Sequence, residues 1–92
     1  MVRRLIWDAW NVAHITRHGV TPEEVEEVCQ GPHLLRQAYK GRLMLIGPTL
    51  AVRMLSVVLE PEGEGVFYPV TARPASRKER RRYQQEQGGE RQ

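Results

Sequence analysis

The spacing of apolar residues divides the chain into a helical first third and an extended middle. Asp8 suits an N-cap, and the apolar residues after it recur at helical intervals, which predicts a first helix over residues 9–18. A second helix is predicted over residues 22–30, because two valines lie three residues apart among exposed glutamates. Gly31 and Pro32 end that pattern.

Beyond residue 33 the pattern becomes extended, and four strands are predicted, at residues 34–40, 43–46, 53–59 and 66–72. The segment 60–65 alternates glutamate with proline and glycine, which predicts a loop. Pro69 cannot donate to a ladder, so the last strand is expected at a sheet edge or with a bulge there. Because every connection is short, the sheet should be an antiparallel meander. Residues 3–7 form either a short strand or an extended arm.

A third helix is predicted over residues 77–87, because Ser76 and Glu79 have the spacing of a capping box. Its apolar content is little more than Tyr83, which is typical of a helix that bridges to a partner or frays. The predicted fold is α+β, with two N-terminal helices, a four-stranded antiparallel sheet and one basic C-terminal helix. The 92 residues allow one domain, expected over residues 1–87, with a disordered tail at 88–92.

The charge is concentrated at the C-terminal end of the chain. Residues 73–92 carry seven Lys or Arg and three Glu, a balance of +4, whereas residues 1–72 balance to −1. This suggests an anionic partner, with nucleic acid the leading candidate, or else a solvated helix face that keeps the protein in solution. Arg77, Arg80 and Arg81 are the candidate nucleic-acid contacts, because their spacings of three and four place them on one helix face.

A single cysteine and the absence of long apolar runs indicate the compartment. Cys29 excludes an internal disulfide, fits a reducing cytoplasm and is expected as a core thiol of the second helix. No apolar run approaches the roughly 20 residues of a membrane span, so no membrane association is expected.

A rigid turn is predicted between the first two helices. Gly19 ends the first helix, because only glycine enters the left-handed region without a steric cost. Thr21 then opens the second helix, and Glu24 can close a capping box onto it.

Histidines and an arginine gather at this turn. His14, Arg17 and His18 are neighbours on a helix surface, and a helix C-terminus beside His18 favours its imidazolium form. RNA cleavage by attack of the 2′-OH on the adjacent phosphate needs a base, an acid and cations, but no metal or cofactor. Arg53 begins one strand and Arg73 ends the next, so the two are expected as neighbours in one groove beside the first helix. The two histidines could instead bind a metal, but no third ligand beyond the distant His33 is evident.

Each candidate also has a purely structural interpretation. His14 could be a half-buried packing residue, and Arg53 and Arg73 could be ion-pair partners of the glutamates on the second helix. The sequence contains no nucleophile elbow, phosphate-binding glycine loop or Ser/His/Asp arrangement.

The order of these motifs resembles the BrnT family of toxins between residues 4 and 84. The matching residues are Trp7, Asp8, Asn11, His14, Arg17, His18, Gly19, Val20, Ile46, Gly47, Arg53, Thr71, Ala72, Arg73, Ala75, Glu79 and Tyr83. The resemblance implies a RelE-like fold, a metal-independent ribonuclease, and a DNA-binding BrnA antitoxin as the partner that also helps to repress the operon. It also implies an RNA site that contains Arg17, His18, Arg53 and Arg73, with His14 less firmly included.

The chain departs from the family pattern at three positions. Many relatives have lysine at the position of Asn11, arginine at that of Tyr68 and glycine at that of Val52. The first two differences remove positive charge from the expected cleft. The resemblance as a whole still implies an mRNA-cleaving toxin of a type II toxin–antitoxin system. The expected assembly is a homodimer or a heterotetramer with the antitoxin. The alternatives are a non-catalytic RNA- or protein-binding module on the same fold and a subunit that acts only through its partner.

Overall fold

The computed structural model describes residues 2–89. Its elements in chain order are β1 (Arg4–Leu5), α1 (Ala9–Thr16), α2 (Pro22–Gln30), β2 (Leu34–Gln37), a 3₁₀ turn (Tyr39–Gly41), β3 (Leu43–Pro48), β4 (Met54–Gly63), β5 (Val66–Pro74) and α3 (Arg77–Gly89). The strands of this part of the chain form one sheet in the order β1-β5-β4-β3-β2. The α+β class predicted from the sequence is confirmed.

The predicted antiparallel meander is confirmed for β2 to β5, in which each strand pairs with the next along the chain. The predicted number of four strands is wrong, because β1 adds a fifth that runs parallel to β5. Leu5 lies opposite Phe67, and the N–H groups of Arg3 and Arg4 both donate to the Gly65 carbonyl. The sequence leaves residues 3–7 open as a short strand or an extended arm, and the pairing with β5 decides for a strand at Arg4 and Leu5.

β4 continues through most of the segment that the sequence marks as a loop. Glu60 and Pro61 both pair with β5, so the predicted loop is wrong up to residue 63. Pro61 is tolerated because pairing between β4 and β3 stops at Leu59, so its missing N–H costs no bond to β3. The predicted irregularity at Pro69 is confirmed, since the register shifts between Val58 and Leu59 where β4 meets it.

Other strand ends also differ from the prediction. β2 stops at Gln37 because Lys40, which was expected in the strand, has a left-handed φ of 61° within the 3₁₀ turn. β5 continues to Pro74, so Arg73, which was expected to end the strand, lies inside it. The direction of the Arg73 side chain is therefore set by its position in the sheet.

Helices cover both faces of the sheet. The larger core lies between the sheet and the first two helices and includes Ile15, Val20, Val25, Val28, Cys29, Leu45, Leu55, Val57, Leu59 and Ala72. The smaller core lies on the opposite face, under α3, and contains Leu34, Met44, Ile46, Met54, Ala75 and Tyr83. Successive residues of β3 and β4 alternate between the two cores, as the strand period of two requires. Burial in the larger core raises the pKa of Cys29 to about 12, which confirms the core thiol.

α1 ends in a Schellman motif rather than continuing to His18. The Gly19 N–H donates to the Thr16 carbonyl at 2.9 Å, and the Val20 N–H donates to the Ile15 carbonyl at 3.1 Å. Gly19 has a φ of 74°, and Val20 and Ile15 are buried in the same core. The glycine stop is therefore confirmed, and it leaves His18 in the turn instead of in the helix.

The other helix starts are capped as predicted. The Glu24 N–H donates to Thr21 Oγ1 at 3.1 Å, and the Glu24 carboxylate accepts the Thr21 N–H at 3.0 Å. Ser76 and Glu79 make the equivalent pair at the start of α3, at 3.1 and 2.8 Å. α3 extends to Gly89, two residues beyond its predicted end, and the remaining tail residues, 90–92, lie outside the described residues. No helix in the described part of the chain is long and apolar enough to cross a bilayer.

Candidate functional site

Arg53 connects the start of β4 to the turn between α1 and α2. Its Nη1 donates to the Gly19 carbonyl at 2.9 Å and to both carboxylate oxygens of Glu24 at 3.0 Å. His18 directly precedes Gly19 and is exposed, so Arg53 and His18 lie at the same turn. The Arg53 side chain is 37% exposed, and its Nε and Nη2 have no hydrogen-bond partner among residues 2–87. The turn therefore carries the exposed His18 and a guanidinium group with unused donors that is bonded to the next residue, Gly19.

Arg73 lies on the opposite face of the sheet. It is opposite Ser56 in the β4–β5 register, and its neighbour Ala72 belongs to the larger core, so the Arg73 side chain points to the α3 side. Its two terminal nitrogens form a bidentate ion pair with the Glu79 carboxylate, at 2.9 and 2.8 Å. The expectation that Arg53 and Arg73 line one groove is therefore wrong. The two arginines lie at the same end of β4 and β5 but bind carboxylates on opposite faces.

Both arginines bind the glutamate of a helix capping box. The Thr21 N–H and then the Arg53 guanidinium hold the pKa of Glu24 below its usual range. The Arg73 guanidinium is the main cause that lowers the pKa of Glu79, and the Glu79 carboxylate in turn raises the pKa of Arg73. Both carboxylates are therefore ionised at neutral pH, where they orient the guanidinium groups and offset part of their charge. Pairing with a second-helix glutamate thus holds for Arg53, whereas Arg73 pairs with α3.

Trp10, His14 and His18 form an aromatic ladder along the exposed side of α1. The His14 ring stacks on the Trp10 indole with centroids 5.0 Å apart and planes 6° apart. His18 packs edge-on against His14, with centroids 5.4 Å apart. Arg17 is exposed beside them, and Trp10 is 58% exposed. His14 is half-buried, and its two aromatic contacts are with Trp10 and His18 along α1.

A metal site has no support among residues 2–87, which contain no group of three or more His, Cys, Asp or Glu side chains suited to hold an ion. His33, the distant third histidine, directs Nδ1 to the backbone carbonyls of Val28 and Gly31 at 3.1 and 3.0 Å. These bonds fix His33 at the end of α2, apart from the ladder.

The two positions at which the resemblance leads one to expect a basic residue, Asn11 and Tyr68, carry structural contacts. Asn11 is fully buried, and its amide nitrogen donates to the carbonyls of Ile6 and Pro69 at 2.9 and 3.1 Å. The Tyr68 hydroxyl donates to the Asp8 carboxylate at 3.0 Å. The Asn11 N–H, and more weakly Tyr68, hold the pKa of Asp8 below its usual range. Asn11 and Tyr68 therefore connect the start of α1 to β5.

The three arginines predicted on α3 differ in availability. Arg80 donates to the Ala75 carbonyl at 2.9 Å and so stabilises the start of the helix. Arg77 and Arg81 are exposed and have no hydrogen-bond partner among residues 2–87. Lys78 and Arg82 are also exposed and border a shallow cavity of about 230 Å³ against β3. α3 therefore presents a cationic surface on the same side of the sheet as Arg73.

Sequence reasoning missed two features of this region. Trp10 was not considered, although its spacing of four residues from His14 permits stacking on a helix surface. The second feature is that Glu24 and Glu79, which are predicted as capping residues, each also bind an arginine in or next to a strand. No helix-capping pattern indicates these contacts, because they join a helix to the sheet.

The sequence matches no protein-family model and no curated protein. The structure is similar to the crystal structure of the Brucella abortus ribonuclease toxin BrnT, with a TM-score of 0.65 and 23% sequence identity. The similarity covers 80% of this chain and 97% of the BrnT chain. The chain has the BrnT fold. The resemblance that the sequence motifs indicated is thereby confirmed, and at this identity the match to BrnT establishes the fold alone.

Proposed function

We propose that this protein is the toxin of a type II toxin–antitoxin system and cleaves mRNA without a metal ion. The observation that carries the proposal is the Arg53 guanidinium, held at the His18 turn by Gly19 and Glu24 with its Nε and Nη2 donors unused. The BrnT fold supports it, because the structurally similar Brucella protein is a ribonuclease toxin. A cytoplasmic location follows from this substrate.

Arg53 and His18 form the centre of the proposed site. The free donors of Arg53 bind the scissile phosphate and stabilise the charge that develops on its oxygens. A balanced reaction needs one group to remove the 2′-OH proton and another to protonate the leaving 5′ oxygen. His18 and His14, whose ring centroids are 5.4 Å apart, supply the two imidazoles for these steps. Arg17 adds positive charge at the same turn.

The second arginine and the last helix extend the RNA contact in this proposal. Arg73 lies at the same end of the sheet as Arg53 but on the other face. It therefore binds a different phosphate, further along the RNA. Arg77, Arg80 and Arg81 belong to the α3 surface on that face. RNA that crosses the edge of the sheet meets both groups, with the α1–α2 turn supplying the chemistry.

The proposed partner is a BrnA-like DNA-binding antitoxin that neutralises the toxin. The BrnT fold supports this assignment, and the assembly is a homodimer of the toxin or a heterotetramer with the antitoxin. Co-expression with the product of the adjacent gene tests it. Rescue of growth and recovery of a complex by size-exclusion chromatography would support the proposal, whereas independent migration of the two proteins would contradict it.

One observation favours the second candidate, a non-catalytic RNA- or protein-binding module. Arg53 and Arg73 are both paired with carboxylates, and Asn11 and Tyr68 are occupied by structural contacts. The free positive charge is therefore reduced at both arginines, and Asn11 and Tyr68 add none. Such a site favours retention of a ligand over stabilisation of a highly charged transition state.

Expression without antitoxin separates the two candidates. Wild type should arrest growth and degrade mRNA, and Arg53→Ala should lower cleavage by about 100- to 1,000-fold, the usual cost of a lost charged donor at a transition state. Arg42→Ala is the matched control, because Arg42 also forms an ion pair with a glutamate and is 38% exposed. If the folded wild type does not inhibit growth and cellular RNA stays intact, the proposed ribonuclease activity is contradicted.

A further inference from the structure

Trp10, a residue without a part in the proposed cleavage chemistry, stacks on His14 and presents an exposed aromatic surface. The imidazole and indole planes differ by only 6°, with ring centroids 5.0 Å apart, as in consecutive members of an offset stack. Trp10 is 58% exposed, although a large aromatic side chain is usually mostly buried. The stack therefore ends at an indole that is accessible to a further planar ring.

The charge beside this stack favours a nucleic-acid ligand. Arg17 follows Trp10 by seven residues, about two helical turns, so both lie on the same side of the helix. Arg17 and His18 are exposed, and the Arg17 side chain has no hydrogen-bond partner among residues 2–87. Aromatic rings that stack on bases and cations that contact the backbone are the two components of single-stranded nucleic-acid sites.

We propose that the exposed indole of Trp10 stacks on an unpaired nucleobase of single-stranded RNA, whose backbone phosphate is held by Arg17. The inference rests on the proposed function, because it names how the same substrate is held beside the cleavage site. Every base has a π-face, so this contact binds RNA without selecting its sequence. Trp10 is a binding residue that positions the RNA relative to His18.

Trp10 can be changed with little risk to folding. It lies in the first turn of α1 and is absent from both cores, and alanine is the best helix former. Trp10→Ala removes the stacking surface, whereas Trp10→Phe retains an aromatic ring. Tyr39→Ala is the matched control, because Tyr39 is an aromatic residue that is 82% exposed in the 3₁₀ turn.

Binding is measured with a 2′-O-methyl oligoadenylate, which cannot be cleaved by its own 2′-OH, and with an abasic oligomer of equal length. Trp10→Ala should weaken binding of the oligoadenylate by roughly 5- to 150-fold, the usual effect of losing one stacked base. Trp10→Phe should retain most of the affinity, and Tyr39→Ala should retain all of it. The abasic oligomer should bind wild type and Trp10→Ala equally.

Tryptophan fluorescence gives an independent readout. The oligoadenylate should quench wild type but not Trp10→Phe, in which Trp7 remains bonded through its indole N–H to Glu26 at 3.0 Å. Equal affinity of wild type and Trp10→Ala for the oligoadenylate, or no binding by either, would overturn the inference and leave the ladder as a protein contact. Cleavage is not part of this measurement, so Trp10-dependent binding by a protein that never cleaves RNA would refute the proposed function alone.

Discussion

Glu24 is predicted to stabilise the fold through two contacts, one within its own capping box and one with Arg53. Its carboxylate accepts the Thr21 N–H at 3.0 Å and the Arg53 Nη1 at 3.0 Å, and its side chain is 24% exposed. Glu24→Ala removes one half of the capping box, together with the ion pair that orients Arg53. Glu23, the preceding residue in the same helical turn, is exposed and has no hydrogen-bond partner among residues 2–87.

The magnitude follows from these two interactions. Loss of half the capping box costs roughly 0.5 to 1 kcal/mol, and a partly exposed ion pair contributes a similar amount, so Glu24→Ala should lower the free energy of unfolding by about 1 to 2 kcal/mol. Each kcal/mol corresponds to roughly 4 to 8 °C in melting temperature for a domain of this size. Glu23→Ala should change the melting temperature by less than about 2 °C, as expected for an exposed surface substitution.

Thermal unfolding followed by circular dichroism measures both variants, and a double-mutant cycle with Arg53→Ala isolates the ion pair. The cycle should give a coupling of about 0.5 to 1 kcal/mol, because each single variant already removes the pair. Equal melting temperatures for Glu23→Ala and Glu24→Ala would refute the structural role of Glu24. A coupling of zero would show that the contact between Arg53 and Glu24 contributes nothing to stability.

Acid should destabilise the fold, because hydrogen bonds hold the pKa values of Asp8, Glu24 and Glu79 below their usual range. These three carboxylates contribute their full stabilisation above their unfolded pKa values, near 4, and the stabilisation is lost as pH falls through the folded values. An unfolding free energy that stays constant from pH 6 to 3 would contradict these assignments. On α3, replacing Arg77 and Arg81 together by glutamine should weaken RNA binding and reduce the slope of log K against log salt by up to about 2, and an unchanged slope would assign their charge to solubility.

Local signals in the sequence predicted the helix starts and the glycine stop after α1, although the last residues of α1 and α3 differ by two from the prediction. The left-handed Gly19 and the two capping boxes depend on residues within five positions of each other, so the local sequence is enough to predict them. The antiparallel order of β2 to β5 followed from short connections for the same reason.

The candidate site was less predictable because it depends on strand register. A shift of one residue in pairing moves a side chain to the other face of a sheet, and only the pairing of Ser56 with Arg73 places that arginine against α3. The parallel pairing of β1 and the burial of Asn11 against Pro69 likewise join residues about sixty positions apart. No local pattern specifies these contacts.

The measurement that tests the proposed function most directly is cleavage of purified mRNA by the purified protein in excess EDTA. Wild type and Arg42→Ala should cut the RNA at equal rates and leave 2′,3′-cyclic phosphate ends, since the 2′-OH is the nucleophile. Arg53→Ala should be slower by about 100- to 1,000-fold, and His18→Ala should be slower with an altered pH profile. Intact RNA with the folded wild type, or equal rates for Arg53→Ala and Arg42→Ala, would contradict a ribonuclease centred on the α1–α2 turn.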